Sequence, residues 1–193
     1  YTIVSGTCFY NGDQFPDDAY GNVFVPESGG HLIGRLKLTN GIEPKASRFY
    51  PAEQEFLAST DERFRPVNAR VGPDGCLYIA DMYHGIIEHI IFMVPRLTKQ
   101  IKERKLDQGN DMGRIWRIVP DGAKPVAVKL PRETAEIVPL LDHANGHIRD
   151  TAQRVLVERG DAGVLPAIKA ITSSAKTAQG RVQALWALDG LNA

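Results

Sequence analysis

Gly21-Asn-Val-Phe-Val-Pro-Glu27 and Gly75-Cys-Leu-Tyr-Ile-Ala-Asp81 follow one pattern: glycine, an unrestricted position, aliphatic, aromatic, aliphatic, small, acidic. Each is followed by a strand-like run that begins Gly-Arg-aliphatic, Gly34-Arg-Leu-Lys-Leu38 and Gly113-Arg-Ile-Trp-Arg-Ile118. The glycines of the first run lie 54 residues apart and those of the second 79, so the later unit carries about 25 extra residues. Within that unit, the runs 67–71 and 76–80 flank Gly72-Pro-Asp-Gly75, a turn signal that joins two antiparallel strands.

Short strands bounded by Gly and Asp-Gly turns and repeating at this distance are the sequence pattern of propeller blades. Beyond Pro120 the period changes. Residues 120–131 hold three prolines and read as a linker, and four helices are expected near 132–143, 147–159, 163–173 and 177–191. Arg149, Ala152 and Leu156 recur 32 residues later as Arg181, Ala184 and Leu188, as in stacked helical pairs. The fold class expected from the sequence is therefore mainly β plus α: the last blades of a β-propeller over residues 1–119, the linker, and a HEAT-like helical solenoid over 132–193. Two blades cannot close a ring and two helical pairs fall short of a stable array, so this reading expects more blades before Tyr1 and more helices past Ala193.

The extra segment, residues 86–112, turns from apolar to basic. Arg96, Lys99, Lys102, Arg104 and Lys105 accompany Val94, Leu97 and Ile101 at helical spacing, and Pro95 suits a first turn, so a short amphipathic helix is expected over 96–106. It reads either as a contact for a partner or membrane surface or as a solvated helix at a blade edge.

Charge and cysteine usage narrow the function classes. The 193 residues carry 23 basic and 23 acidic side chains, so no global field favours nucleic acid. No apolar run approaches the length that spans a bilayer. Cys8 and Cys76 offer no zinc or haem-attachment spacing and are expected as buried strand thiols, with a disulfide between them as the alternative. Neither GxGxxG, a Walker loop nor a GxSxG elbow occurs, which argues against a nucleotide-binding enzyme and an α/β-hydrolase.

Several polar residues invite a chemical reading. Arg63 and Arg65 sit at i and i+2 before Pro66, which favours extended backbone, so both guanidinium groups could face one anion, or pair with Asp61, Glu62 or Asp81. Glu27 and Asp81 end equivalent strands, where a carboxylate either binds calcium or a substrate hydroxyl, or accepts N–H groups of the following turn. His31, His84 and His89 lie nearby, and Asp81 with His84 could converge across a turn as a base and its partner. His143 and His147 read as solvated positions at a helix turn.

Gly6-Thr-Cys-Phe-Tyr-Asn-Gly-Asp-Gln-Phe-Pro16, Gly21-Asn-Val-Phe-Val25, the run from Phe64 to Tyr83, Gly85-Ile-Ile-Glu-His89 and Gly113-Arg-Ile-Trp-Arg-Ile118 resemble the putative membrane-bound dehydrogenases of planctomycete-type bacteria, relatives of the sorbosone and soluble glucose dehydrogenases. The resemblance implies a periplasmic or cell-envelope oxidoreductase that uses pyrroloquinoline quinone (PQQ). Such an enzyme oxidises sugars, alcohols or aldehydes and passes electrons to a c-type haem domain, for which this chain has no motif. It carries cofactor binding onto Arg63 and Arg65 and makes Glu27, His31, Asp81 and His84 possible site-lining residues. The base and any calcium would come from upstream blades, and no metal ligand is assigned in this chain. One departure is plain: the relatives' cofactor-binding lysine falls in Ser28-Gly-Gly-His31, which has none. The expectation from another class is a non-catalytic scaffold that binds protein or polysaccharide. A calcium-dependent lactonase, with Glu27 or Asp81 on the metal, is the third.

Overall fold

The computed structural model describes residues 2–39, 43–109 and 111–193. Asn110, inside the predicted insertion, lies outside them. The chain divides into two compact units: Tyr1–Tyr10, Asp17–Arg70 and Leu77–Ile118 form one, and Asn11–Pro16, Val71–Cys76 and Val119–Ala193 form the other.

The first unit holds two small antiparallel sheets. Strands β1 (Cys8–Phe9), β2 (Val23–Glu27), β3 (Leu32–Leu38) and β4 (Ala46–Arg48) pair in sequence order, and β5 (Leu57–Ala58) pairs with the opening residues of β3. The second sheet runs β6 (Pro66–Val71), β7 (Leu77–Asp81), β8 (Arg114–Ile118). Alternation places Phe24, Ile33, Leu77 and Ile79 in the interior, where Phe24 meets the Tyr10 and Phe56 rings edge-on at 5.9 and 4.7 Å. Both cysteines are buried thiols. Between β7 and β8 runs the basic helix α1 (Pro95–Glu103), with Pro95 in its first turn and Ile101 buried.

In the second unit α2 (Thr134–Ile137) is a single turn that tightens into a 3-10 turn at Val138–Asp142, where Pro139 supplies no N–H. It precedes α3 (Gly146–Arg159), α4 (Leu165–Ser174) and α5 (Ala178–Gly190). All of these elements pack around one core of Ile137, Leu141, Ala152, Leu156, Ile168, Ala184 and Leu188. Asn145 caps α3 by accepting from the His147 N–H at 3.0 Å, while its own amide donates to the Gly72 carbonyl at 2.9 Å. The 32-residue recurrence is visible locally: Arg149 donates to the carbonyls of His143 and Ala144, and Arg181 to that of Ala175, each tying a helix to the loop before it.

This architecture corrects the expected fold class. The described residues contain no closed ring of blades and no HEAT-like solenoid, only two small sheets and a helical cluster, a mixed α and β arrangement. The two sequence repeats do not share a register, as blades would. Arg35 of β3 faces Phe24, three residues before the terminal acid of β2, whereas Arg114 of β8 faces the terminal acid Asp81 itself. The helices are not stacked hairpins either, since α5 packs against both α3 and α4 over a shared core.

Candidate binding site

Arg65 ties together several segments of the first unit. Its backbone N–H donates to Asp81 Oδ1 at 2.8 Å as β6 begins. Its buried guanidinium donates Nε–H to the His84 carbonyl (2.9 Å), Nη1 to Ser28 (2.7 Å) and at longer range Gly29 (3.5 Å), and Nη2 to Gly85 (2.8 Å). One planar cation thus clamps the β2–β3 turn to the segment after β7. A guanidinium has five N–H groups, so these bonds leave one. Burial pulls Arg65 below its ordinary pKa, against the longer-range pull of the Glu27 and Glu62 carboxylates.

Arg63 goes elsewhere. Its N–H bonds Asp61 Oδ1 at 3.0 Å, and its guanidinium donates to the Lys105 carbonyl at 2.7 Å, past the end of α1. The two arginines therefore share a strand approach but reach different partners.

Glu27 and Asp81 play matching parts. Glu27 accepts from the N–H groups of Ile3 (2.8 Å) and Gly30 (2.6 Å) and from the Thr2 hydroxyl (3.3 Å). Burial pushes its pKa up, yet these bonds outweigh it and hold the carboxyl below the usual range. A Cβ at Gly30 would lie 2.5 Å from Glu27 Oε2 and would displace the carboxylate from its turn. Asp81 accepts from the N–H groups of Arg65 and Tyr83 and, through Oδ2, from the Trp116 indole at 3.0 Å. His31 donates from Nδ1 to the Phe64 carbonyl at 3.0 Å, and the His84 ring nitrogen Nδ1 to that of Ile86. His31 and Tyr83 hold positive φ values of 57° and 49°, strain of the kind that concentrates at functional sites.

The sequence reading missed the cluster built on that strain. The Arg114 guanidinium stacks 3.4 Å over the Tyr83 ring and 4.9 Å from the Trp116 ring. Its Nη2 lies 3.5 Å from Asp61 Oδ2, and its buried Nε lies 3.3 Å from Asp81 Oδ2 without a hydrogen bond. Asp61 is held below its ordinary pKa first by the Arg63 N–H; burial opposes this, while the Tyr83 hydroxyl and the charges of Arg114 and Arg63 add to it. Beside this cluster opens an apolar groove of about 250 Å³, lined by Leu57, Phe64, Ile79, Trp116 and Ile118. The available signal was the i, i+2 alternation of Arg114, Trp116 and Ile118, opposite Asp81, Ile79 and Leu77 in β7.

Among the described residues no group of three or more His, Cys, Asp or Glu side chains could hold a metal ion, and no helix is long and apolar enough to cross a membrane. With one N–H left on Arg65 and no lysine in Ser28-Gly-Gly-His31, Arg65 fits the carboxylates of a quinone poorly. A family model described as a domain of unknown function, DUF7133, matches residues 1–122. No curated protein and no solved structure matches the chain.

Proposed function

The chain belongs to the DUF7133 family, a domain of unknown function, and from that premise we propose that it is a non-catalytic scaffold whose groove binds a polypeptide partner. The observation that carries this reading is the contrast between Arg65 and Trp116. The first spends its guanidinium on backbone carbonyls, whereas the second, 42% exposed and fixed by its bond to Asp81, borders an apolar groove next to Arg114. Hot spots of protein interfaces are enriched in tryptophan, tyrosine and arginine, and here Trp116 lines the groove while Arg114 stacks on Tyr83 beside it. In this reading the strained Tyr83 and the buried Asp81 are positioning groups that set Arg114 and Trp116 before a partner arrives.

A second reading remains the quinone-dependent oxidoreductase acting on sugars, alcohols or aldehydes. Arg63 favours it, because its single bond to the Lys105 carbonyl leaves N–H groups for an anion. The two readings part on one experiment with the intact protein, a photoreactive side chain at Ala58 on the groove rim. Discrete polypeptide adducts, lost in Trp116→Ala, are expected. Absence of adducts together with saturable quinone binding would transfer the assignment to the oxidoreductase.

A further inference from the structure

Strand β8 ends its sheet, and among the described residues no strand pairs with its outer side. The opposite side of the sheet is covered: Gly6 bridges Asn68 in parallel and exchanges hydrogen bonds with Val67 and Ala69 beside β6. Bare edges are normally blunted by proline, a bulge, brevity or charge, and of these β8 has only the two arginines, Arg114 and Arg117, on opposite faces. Residues 114–118, Arg-Ile-Trp-Arg-Ile, hold no proline or glycine and consist largely of good strand formers.

Both faces of this edge expose apolar surface. Trp116 and Ile118 lie on the groove face with Arg114, while Ile115, 73% exposed, lies on the other with Arg117. A partner laid against one face would leave the opposite one in water; a strand added alongside covers both and satisfies the outward N–H and C=O groups.

Resting on the scaffold reading, we infer that the occupant of this edge is β8 of a second copy of the chain, paired antiparallel about a two-fold axis at Trp116. The sequence of the edge is self-complementary in that register. Arg114 faces Ile118 of the second copy, Ile115 faces Arg117, and Trp116 faces Trp116, so no arginine opposes an arginine and the aromatic pair sits at the centre. The two-fold must lie at a residue for the alternating N–H and C=O groups to meet, and moving it to Arg117 sets that residue against itself. An axis at Ile115 shortens the overlap. The favoured register joins two three-stranded sheets into one of six strands and makes their groove faces continuous across the axis, in a closed isologous contact.

Substitution of Ile115 tests the pairing without touching the core, because the side chain is 73% exposed. In the intact protein, analysed by sedimentation equilibrium, Ile115→Glu sets a carboxylate opposite Arg117 at both symmetric positions, whereas Ile115→Lys sets like charges there. The wild type is expected to dimerise below roughly 0.1 mM. Ile115→Glu should retain or tighten the dimer, and Ile115→Lys should weaken it by roughly tenfold or more, with added salt narrowing the gap. Equal weakening by both substitutions would overturn the register and with it the inference. A monomeric wild type would do so outright, and if the Ala58 photoprobe then still yielded adducts with other polypeptides, the scaffold reading would survive alone.

Discussion

At Arg65 the surroundings demand a guanidinium, because the carbonyls of Ser28, His84 and Gly85 each accept from a different one of its three nitrogens. A lysine ammonium keeps the charge but cannot span them. Arg65→Lys is therefore expected to cost about 2 to 3 kcal/mol in urea unfolding, and a cost under about 0.5 kcal/mol would show that the clamp is dispensable. The Glu27 carboxyl makes a second residue-level prediction. Its folded pKa lies below the ordinary value of 4.5, so its contribution is fully present above that value and is lost as pH falls through the folded one. Glu27→Gln should lose about 1 kcal/mol at neutral pH, and the gap to wild type should close as the solution is acidified below pH ~4. A gap that is constant with pH would mean that the charge on Glu27 does not matter.

The basic insertion and the capped helix α3 show what depends on single contacts at the level of elements. A Cβ at Gly85 would lie 2.4 Å from the Leu106 carbonyl oxygen, a backbone atom that cannot swing aside, just beyond α1. Gly85→Ala should destabilise by roughly 1 to 3 kcal/mol and speed amide exchange in α1, because the insertion has to shift. Asn145→Ala removes both the α3 cap and the bond to the Gly72 carbonyl, an expected loss of about 2 kcal/mol in denaturant unfolding. Elements like these were largely legible from local chemistry. Gly72-Pro-Asp-Gly75 predicts the hairpin that β6 and β7 flank, Pro95 predicts the start of α1, and α3 and α5 fall where the apolar period places them. The first expected helix is mostly 3-10 because Pro139 removes an N–H donor, a point that the period hides. The Arg114 cluster beside the groove was invisible for a different reason. Arg114, Tyr83 and Asp61 meet only once β8 has chosen its register on β7, and spacing within one strand carries no information about its partner.

The same limit explains the fold of the whole molecule. Repeated runs ending in Glu27 and Asp81 predict two blades, the second with a long insertion, yet in the structure Arg114 opposes Asp81 whereas Arg35 opposes Phe24, and the copies diverge. A recurrence of 32 residues predicts stacked pairs, yet apolar faces on α3, α4 and α5 close on a single core. Spacing marks Arg63 and Arg65 as candidate anion ligands and Glu27 and Asp81 as candidate site-lining carboxylates; that their partners are chiefly backbone groups is a property of the turns they hold. The scaffold proposal holds this polar network to be structural and the groove beside it to be the binding surface. Its most direct test is a calorimetric titration of the intact protein with pyrroloquinoline quinone and calcium, wild type against Arg63→Ala. No saturable heat in either protein is the predicted result; saturable binding by the wild type that Arg63→Ala abolishes would contradict it and put a cofactor where the scaffold reading has none.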